Sequence, residues 1–176
     1  MIFSALIWRL LQTGSERNIN MNEKMRVNLS ELLPIMSEQL ESGKEVCFSP
    51  NGISMLPVLR PGKDSVTLQS PPEKLKKYDL PLYRRNSGQF VLHRVVKVNK
   101  DGTYTMCGDN QYAWEKGIKH SQIIGVVTSF NRDGKEISCK NFKYRLYAFI
   151  RVRERWMYGI LVRIKRKLSR LAKKEG

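Results

Sequence analysis

The sequence predicts a mainly antiparallel β domain with irregular connections, preceded by one helix and followed by a basic amphipathic helix. Two observations predict the β class. Between residues 45 and 140, short apolar runs are separated by turn residues, which is the pattern of strands. The dipeptides Asp101-Gly102 and Asp133-Gly134 are typical hairpin turns, and hairpins join antiparallel strands. Apolar residues at helical spacing on both sides of this region predict the two helices.

The first segment of the chain fits neither a helix of the domain nor a strand. The run MIFSALIW is interrupted by Arg9, and it is too short to cross a bilayer, which takes about 20 apolar residues. We therefore expect residues 1–26 to be an extension that is either disordered or a weak hydrophobic anchor.

Residues 27–44 are predicted to form one amphipathic helix. Ser30 is the expected N-cap, and Gly43 is placed to end the helix. The apolar residues at helical spacing are Leu29, Leu32, Leu33, Met36 and Leu40. Because the segment is too short for a complete helix-turn-helix domain, it argues against a DNA-binding protein.

Residues 45–140 are predicted to form the β domain. The three cysteines, Cys47, Cys107 and Cys139, are odd in number and lack the spacing of metal ligands, so we expect free thiols, no metal site and no cofactor. The predicted strands are Val46–Ser49, Ser65–Leu68, Leu80–Arg84, Gln89–Asn99, Thr103–Cys107 and Ile123–Asn131.

Most of the positive charge lies in the last part of the chain. The 176-residue chain has a net charge of +16, and residues 140–176 hold 13 Lys or Arg against two acidic residues. An apolar stripe along residues 141–176 predicts a basic amphipathic helix or tail that lies on an anionic membrane surface. The residues expected to contact this membrane are Trp156, Arg163, Lys165, Arg166 and Lys167.

Nucleic acid is not an expected partner of this basic chain. In RNA-binding sheets, aromatic residues interleave with the strands, and this sequence lacks that pattern. The expected location is therefore peripheral to a membrane.

A serine in the stretch NGISMLPVLRP is the first candidate for chemistry. The hydroxyl of Ser54 becomes a nucleophile only when a base removes its proton, and the chain holds only two histidines, His93 and His120. His93 lies in an apolar run, where a structural core histidine and a desolvated general base fit equally well. His120 lies in a polar loop, and Lys97, four residues after His93, is an alternative base.

Two carboxylates are candidates to orient the imidazole of His93. Asp109 lies in the turn Gly108-Asp109-Asn110, and Glu115 follows six residues later. The hairpin at Asp101-Gly102 returns the chain beside the strand of His93, so either carboxylate can face that histidine.

In their order along the chain, these segments resemble the signal peptidase and repressor-peptidase superfamily of serine endopeptidases. NGISMLPVLRPGK resembles the nucleophile box, and VLHRVVKV resembles the base box of signal peptidases of the endoplasmic-reticulum and Gram-positive sporulation type. CGDN resembles the Gly-Asp-Asn box, and IIGVV resembles the closing strand. The similarity covers Val46–Thr128, and it implies a signal-peptidase-like β domain in a bacterial cell.

The resemblance also implies a role for each matching residue. Ser54 matches the nucleophile, His93 matches the general base, and Glu115 occupies the position of the orienting acid. Asp109 matches the box aspartate, which shapes the site, and the two carboxylates can share the orienting role. The implied activity is cleavage of a leader or signal peptide through an acyl-enzyme.

Two further positions match the turn that carries the nucleophile, and a third, Gly52, departs from the signal-peptidase pattern. Met55 and Pro57 build this turn in the family, and Gly52 stands where signal peptidases carry a hydroxyl that helps the oxyanion hole. This departure keeps a second hypothesis open, a non-catalytic relative that binds peptides or membranes. A self-cleaving repressor ranks last, because the sequence upstream of Ser54 lacks a convincing self-cleavage site.

Overall fold

The structure is a computed structural model that describes residues 29–154. Within these residues, the chain forms one helix, then two antiparallel sheets, then a second helix, so the predicted fold class is confirmed. Helix α1 spans Leu29–Glu41, and helix α2 is described over residues 142–154. The strands are β1 Val46–Phe48, β2 Ser65–Gln69, β3 Pro81–Arg84, β4 Phe90–Leu92, β5 Arg94–Val98, β6 Tyr104–Cys107, β7 Glu115–Ile118, β8 Ile123–Arg132 and β9 Lys135–Ser138.

Several predictions concern residues outside the described range. The extension at residues 1–26 lies there, as does the second half of the predicted basic helix. The five predicted membrane contacts lie there too, namely Trp156, Arg163, Lys165, Arg166 and Lys167. Within the described range, neither helix is long and apolar enough to cross a membrane.

Helix α1 ends at the predicted glycine, but the predicted N-cap residue lies inside the helix. Gly43 has a positive φ of 76°, and the N–H of Lys44 donates to the carbonyl of Gln39, which is the hydrogen-bond pattern of a glycine-terminated helix. The helix already includes Ser30, which is therefore not the N-cap. Helix starts vary by one or two residues because the first turn lacks intrahelical hydrogen bonds, so a single candidate residue does not fix the boundary.

The larger sheet has six strands, with β8 at its centre. Strand order is β1-β2-β8-β3-β4, and β9 also pairs with β8. The smaller sheet has the order β5-β6-β7. The predicted turns at Asp101-Gly102 and Asp133-Gly134 join β5 to β6 and β8 to β9, so both hairpins are confirmed. Strands β7 and β9 were absent from the sequence prediction.

The predicted strand Gln89–Asn99 is two strands that belong to different sheets. Strand β4 pairs with β3 in the larger sheet, whereas β5 pairs with β6 in the smaller one. His93 lies at the break, and its N–H donates to the carbonyl of Pro81 at 3.3 Å. All residues from Val91 to Val96 are buried because the chain here passes between the two sheets, so an alternating pattern cannot locate the break.

Two main hydrophobic clusters meet near this break. One joins α1, the larger sheet and α2, and it includes Leu59, Leu82 and Phe130. The other fills the space under the smaller sheet and includes Val95 and Met106. The three cysteines are free thiols, as predicted.

Candidate active site

Ser54 is the middle residue of a short 3-10 helix, Ile53–Met55. The side chain of Met55 is buried in the first hydrophobic cluster, while Ile53 is 65% exposed. Ser54 is consequently held half-buried at the protein surface. The peptide bond between Leu56 and Pro57 is cis, and the carbonyl of Pro57 accepts a hydrogen bond from Arg132 at 2.9 Å. These contacts fix the backbone that displays Ser54.

The turn at Gly108-Asp109-Asn110 binds the backbone of the serine turn. The N–H of Asn110 donates to the carbonyl of Ser54 at 2.6 Å, and its side-chain amide donates to the carbonyl of Ile53 at 3.3 Å. The N–H of Asp109 points at the sulfur of Met55, 3.4 Å away. The two segments that resemble family boxes are therefore in direct contact.

Gly108 brings Ser54 and His93 together. A Cβ atom at position 108 would lie 2.9 Å from Ser54 Cβ and 2.9 Å from His93 Nε2. The distance between Ser54 Cβ and His93 Nε2 is therefore at most twice 2.9 Å. The Ser54 hydroxyl makes no hydrogen bond to His93 within residues 29–154, and such bonds are often formed only when substrate is bound.

Replacing Gly108 with alanine is expected to destabilise the protein by about 1–3 kcal/mol. The added methyl group would lie 2.7 Å from the carbonyl oxygen of Ser54, so the serine turn or His93 must move. The control is Gly52→Ala, because its Cβ would lie 3.9 Å from Ser54 Oγ at an ordinary φ of −79°. Urea denaturation measures both, and a Gly108→Ala variant as stable as Gly52→Ala would contradict the close approach.

His93 is held through its other ring nitrogen. The imidazole is buried, and Nδ1 lies 3.1 Å from Glu115 Oε1 and 3.2 Å from the hydroxyl of Tyr83. A carboxylate at Nδ1 favours the tautomer in which Nδ1 carries the proton, which leaves the lone pair on Nε2. Nε2 is the nitrogen that faces Ser54 across Gly108.

Glu115 is fixed by a second ring of contacts. Arg85 donates two hydrogen bonds to its carboxylate, with Nε 2.7 Å from Oε2 and Nη2 bound to Oε1. Burial would raise the pKa of Glu115, but hydrogen bonds from Arg85 and Tyr83, together with His93, hold it below its ordinary value. The carboxylate is therefore ionised at neutral pH.

The electrostatics favour a neutral imidazole at His93. Burial lowers the pKa of His93 from 6.5 to about 4, against the opposing attraction of Glu115. Burial, and then the charge of Glu115, raise the pKa of Tyr83, so its hydroxyl stays protonated. At neutral pH, His93 can therefore accept a proton at Nε2.

The carboxylate of Asp109 does not face His93 but binds Arg94. Both side chains of this ion pair are fully buried, with distances of 2.9 Å from Nε to Oδ1 and 2.6 Å from Nη2 to Oδ2. Tyr147 of α2 donates to Asp109 Oδ2 at 3.2 Å, and Arg151 donates to the Asp109 carbonyl. Of the two predicted orienting acids, the structure thus places only Glu115 at the imidazole.

The alternative bases lie elsewhere. Lys97 is exposed and close to Asp101, whose pKa is lowered by hydrogen bonds from Thr103 and then by Lys97. His120 is half-buried, with Nδ1 3.1 Å from the hydroxyl of Tyr104. Neither side chain has a contact with Ser54 among those that the described residues make.

Sequence reasoning missed three residues of the site. Tyr83 lies in β3, Arg85 directly follows that strand, and both side chains bind Glu115. Arg94 is a cation inside an otherwise apolar run, and a buried cation requires an anionic partner. The burial of Arg94 therefore indicates an acidic residue beside it, and in the structure that residue is Asp109.

Comparisons of the chain with protein-family models, with curated proteins and with solved structures found no match. Within residues 29–154, no group of three or more His, Cys, Asp or Glu could hold a metal ion. The geometry of the described residues indicates what the site can do chemically. A serine, a neutral histidine and an ionised carboxylate in this order can activate the serine hydroxyl as a nucleophile.

Proposed function

We propose that this protein is a serine endopeptidase that resembles signal peptidases and cleaves a leader or signal peptide. One observation carries the proposal. Ser54 Cβ and His93 Nε2 converge on Gly108, while Glu115 binds the opposite ring nitrogen of His93. The order Ser-His-carboxylate is that of a nucleophile, its base and the group that orients the base.

In the proposed mechanism, Ser54 Oγ attacks the carbonyl carbon of the scissile peptide bond. His93 Nε2 takes the hydroxyl proton, and Glu115 stabilises the positive charge that forms on the ring. The C–N bond then breaks, and His93 returns the proton to the leaving amine. Water, deprotonated by the same imidazole, hydrolyses the acyl-enzyme and regenerates Ser54.

Backbone N–H groups are the proposed stabilisers of the oxyanion. The first N–H groups of a helix have no intrahelical partner, and Ser54 lies in the first turn of the 3-10 helix. Gly52 precedes that helix and offers no side-chain hydrogen bond to it. Loss of one oxyanion donor costs about 10²–10³ in rate in other enzymes, so we expect slow turnover relative to enzymes with the hydroxyl.

Exposed apolar side chains flank the proposed catalytic residues. Ile53 precedes Ser54, and Trp114, which is 38% exposed, precedes Glu115. Tyr112 is exposed in the same loop as Trp114. These side chains give an extended peptide an apolar surface to contact near the nucleophile. The basic C-terminal segment supports a location on an anionic membrane, where leader peptides emerge.

A serine-directed fluorophosphonate tests the proposal directly. We expect it to label Ser54 in the wild type, because His93 activates that hydroxyl, and to leave His93→Ala unlabelled. His120→Ala is the matched control, since His120 binds Tyr104 instead, and it should be labelled like the wild type. Peptide mapping of the adduct gives the position. Absence of label on Ser54 in the wild type would support the non-catalytic peptide-binding alternative.

The pH dependence of cleavage is expected to follow His93 with a shifted midpoint. Only the neutral imidazole accepts a proton, and burial lowers its pKa from 6.5 to about 4. The acid limb of kcat/KM should therefore have its midpoint near pH 4, below the value of about 6.5 for an unperturbed histidine. Glu115→Gln removes an anion that raises this pKa, so it should move the midpoint lower still. A limb centred near pH 6.5 would contradict the burial of the base.

The same pKa shift predicts how stability depends on pH. The unfolded chain binds a proton at His93 below about pH 6.5, whereas the folded chain does so only near pH 4. The contribution of His93 to stability is therefore complete above pH 6.5 and falls as the pH drops toward 4.

A further inference from the structure

A cavity of about 520 Å³ lies away from the Ser54 site. It is lined by the connection between β2 and β3, by β8, by the connection that follows β9 and by the first turns of α2. None of the candidate catalytic residues lines it. Its floor is apolar and includes the buried residues Leu80, Val127 and Ala148.

The rim of this cavity carries a large excess of positive charge. Among the described residues, the one carboxylate in its lining is Asp79, which accepts a hydrogen bond from the backbone N–H of Lys76 and attracts the charges of Lys76 and Arg145. None of the cationic side chains of the rim forms a salt bridge within residues 29–154. These cations are Lys74, Lys76, Lys77, Lys140 and Arg145.

The rest of the chain does not supply the missing negative charge. Residues 155–176 contain eight Lys or Arg and one acidic residue, and residues 1–28 contain four and two. Both segments therefore carry a net positive charge. The charge complementarity points to an anion from outside this chain.

We propose that this cavity binds a phosphate ester that carries an apolar group, as an anionic glycerophospholipid does. Lys and Arg bind phosphate through charge-assisted hydrogen bonds, and the five rim cations outnumber the one carboxylate, Asp79, in the described lining. The apolar floor accommodates the glycerol backbone and the first carbons of the acyl chains. The cavity would bind one lipid headgroup at a time. A basic tail, by contrast, is attracted to the charge of a whole membrane surface.

The test measures binding of short-chain lipids to the full-length protein by calorimetry, below their micelle-forming concentration. Dihexanoyl phosphatidylglycerol supplies the anionic phosphate diester, dihexanoyl phosphatidylcholine supplies the zwitterionic one, and inorganic phosphate supplies the anion alone. The variant Lys76→Gln/Arg145→Gln removes two rim charges. The control Lys116→Gln/Lys135→Gln removes two charges from exposed lysines outside the cavity.

We expect phosphatidylglycerol to bind the wild type, and its Kd to rise about tenfold in Lys76→Gln/Arg145→Gln. The control pair should stay within about twofold of the wild type, and so should Lys76→Arg/Arg145→Lys, which keeps both charges. Binding of inorganic phosphate with the same affinity and the same loss would support the site and assign it to free phosphate.

Three outcomes would overturn the proposal. Phosphatidylcholine could bind as tightly as phosphatidylglycerol, which would show that the anionic charge is not recognised. The two double variants could lose affinity equally, which would assign binding to overall charge. A single-stranded oligonucleotide could bind with the expected loss in Lys76→Gln/Arg145→Gln while neither lipid binds, which would assign the cavity to nucleic acid.

Discussion

Replacing Ser54 with alanine is expected to lower kcat/KM for cleavage of a leader peptide by about four orders of magnitude or more. The variant lacks the only atom that could form the acyl-enzyme in the proposed mechanism, so the peptide loses the covalent route entirely. Cleavage of a synthetic leader peptide, followed by chromatography of the products, measures the effect. Ser121→Ala is the matched control, because Ser121 is exposed and lies outside the site, and it should cleave at the wild-type rate.

The fold of Ser54→Ala should remain intact, so its loss of activity can be assigned to chemistry. The serine turn is held by its backbone and by Met55, with the Ser54 carbonyl bound to the N–H of Asn110. We expect the free energy of unfolding to change by less than about 0.5 kcal/mol. Cleavage by Ser54→Ala at the wild-type rate would remove the case for a serine peptidase.

Neutralising Asp109 as Asp109→Asn is expected to lower the free energy of unfolding by about 3–5 kcal/mol. Asp109 and Arg94 are both fully buried, so the substitution leaves the guanidinium charge without its counter-ion in a region that water does not reach. Tyr147 and Arg151 of α2 also bind Asp109, so the docking of that helix should weaken as well. Urea denaturation followed by circular dichroism measures the change.

An exposed ion pair provides the matched control for this substitution. Asp133 binds Arg60 at 2.7 Å, but its side chain is 72% exposed, and Arg60 keeps a second partner in Asp64. The same chemical change, Asp133→Asn, should therefore cost less than about 1 kcal/mol. The double variant Arg94→Met/Asp109→Leu removes both buried charges and should recover most of the lost stability. Equal costs at positions 109 and 133 would contradict the burial of the Arg94 pair.

The parts of the fold that sequence predicted are those with a strong local pattern. Strand β8 alternates buried and half-buried residues, and two hairpin turns carry their own residue preferences. Strand β7 reads EKGI and buries only Ile118, while β9 reads KEIS and buries no residue fully. Such strands exist because a neighbouring strand offers hydrogen bonds, and a local pattern does not contain that information.

In the candidate site too, the sequence predicted which residues take part but not all of the contacts between them. Ser54, His93 and Glu115 were each predicted from the sequence and its resemblance, and the structure brings their side chains into one cluster. The sequence could not predict that Glu115 faces His93 while Asp109 faces Arg94, because both carboxylates closely follow the same hairpin. Their environments differ because Arg94 binds Asp109, whereas the adjacent residue His93 lies against Glu115.

The position of His93 between two sheets would make the proposed peptidase activity depend on complete folding. The histidine borders β4 of the larger sheet and β5 of the smaller one, Glu115 begins β7, and the serine turn rests on the first hydrophobic cluster. A chain with only one sheet formed has a serine without its base, or a base without its carboxylate. A chain that is still being synthesised or is partly unfolded would therefore be inactive as a peptidase. A peptidase with this arrangement would not cleave other proteins until both sheets have formed and packed together.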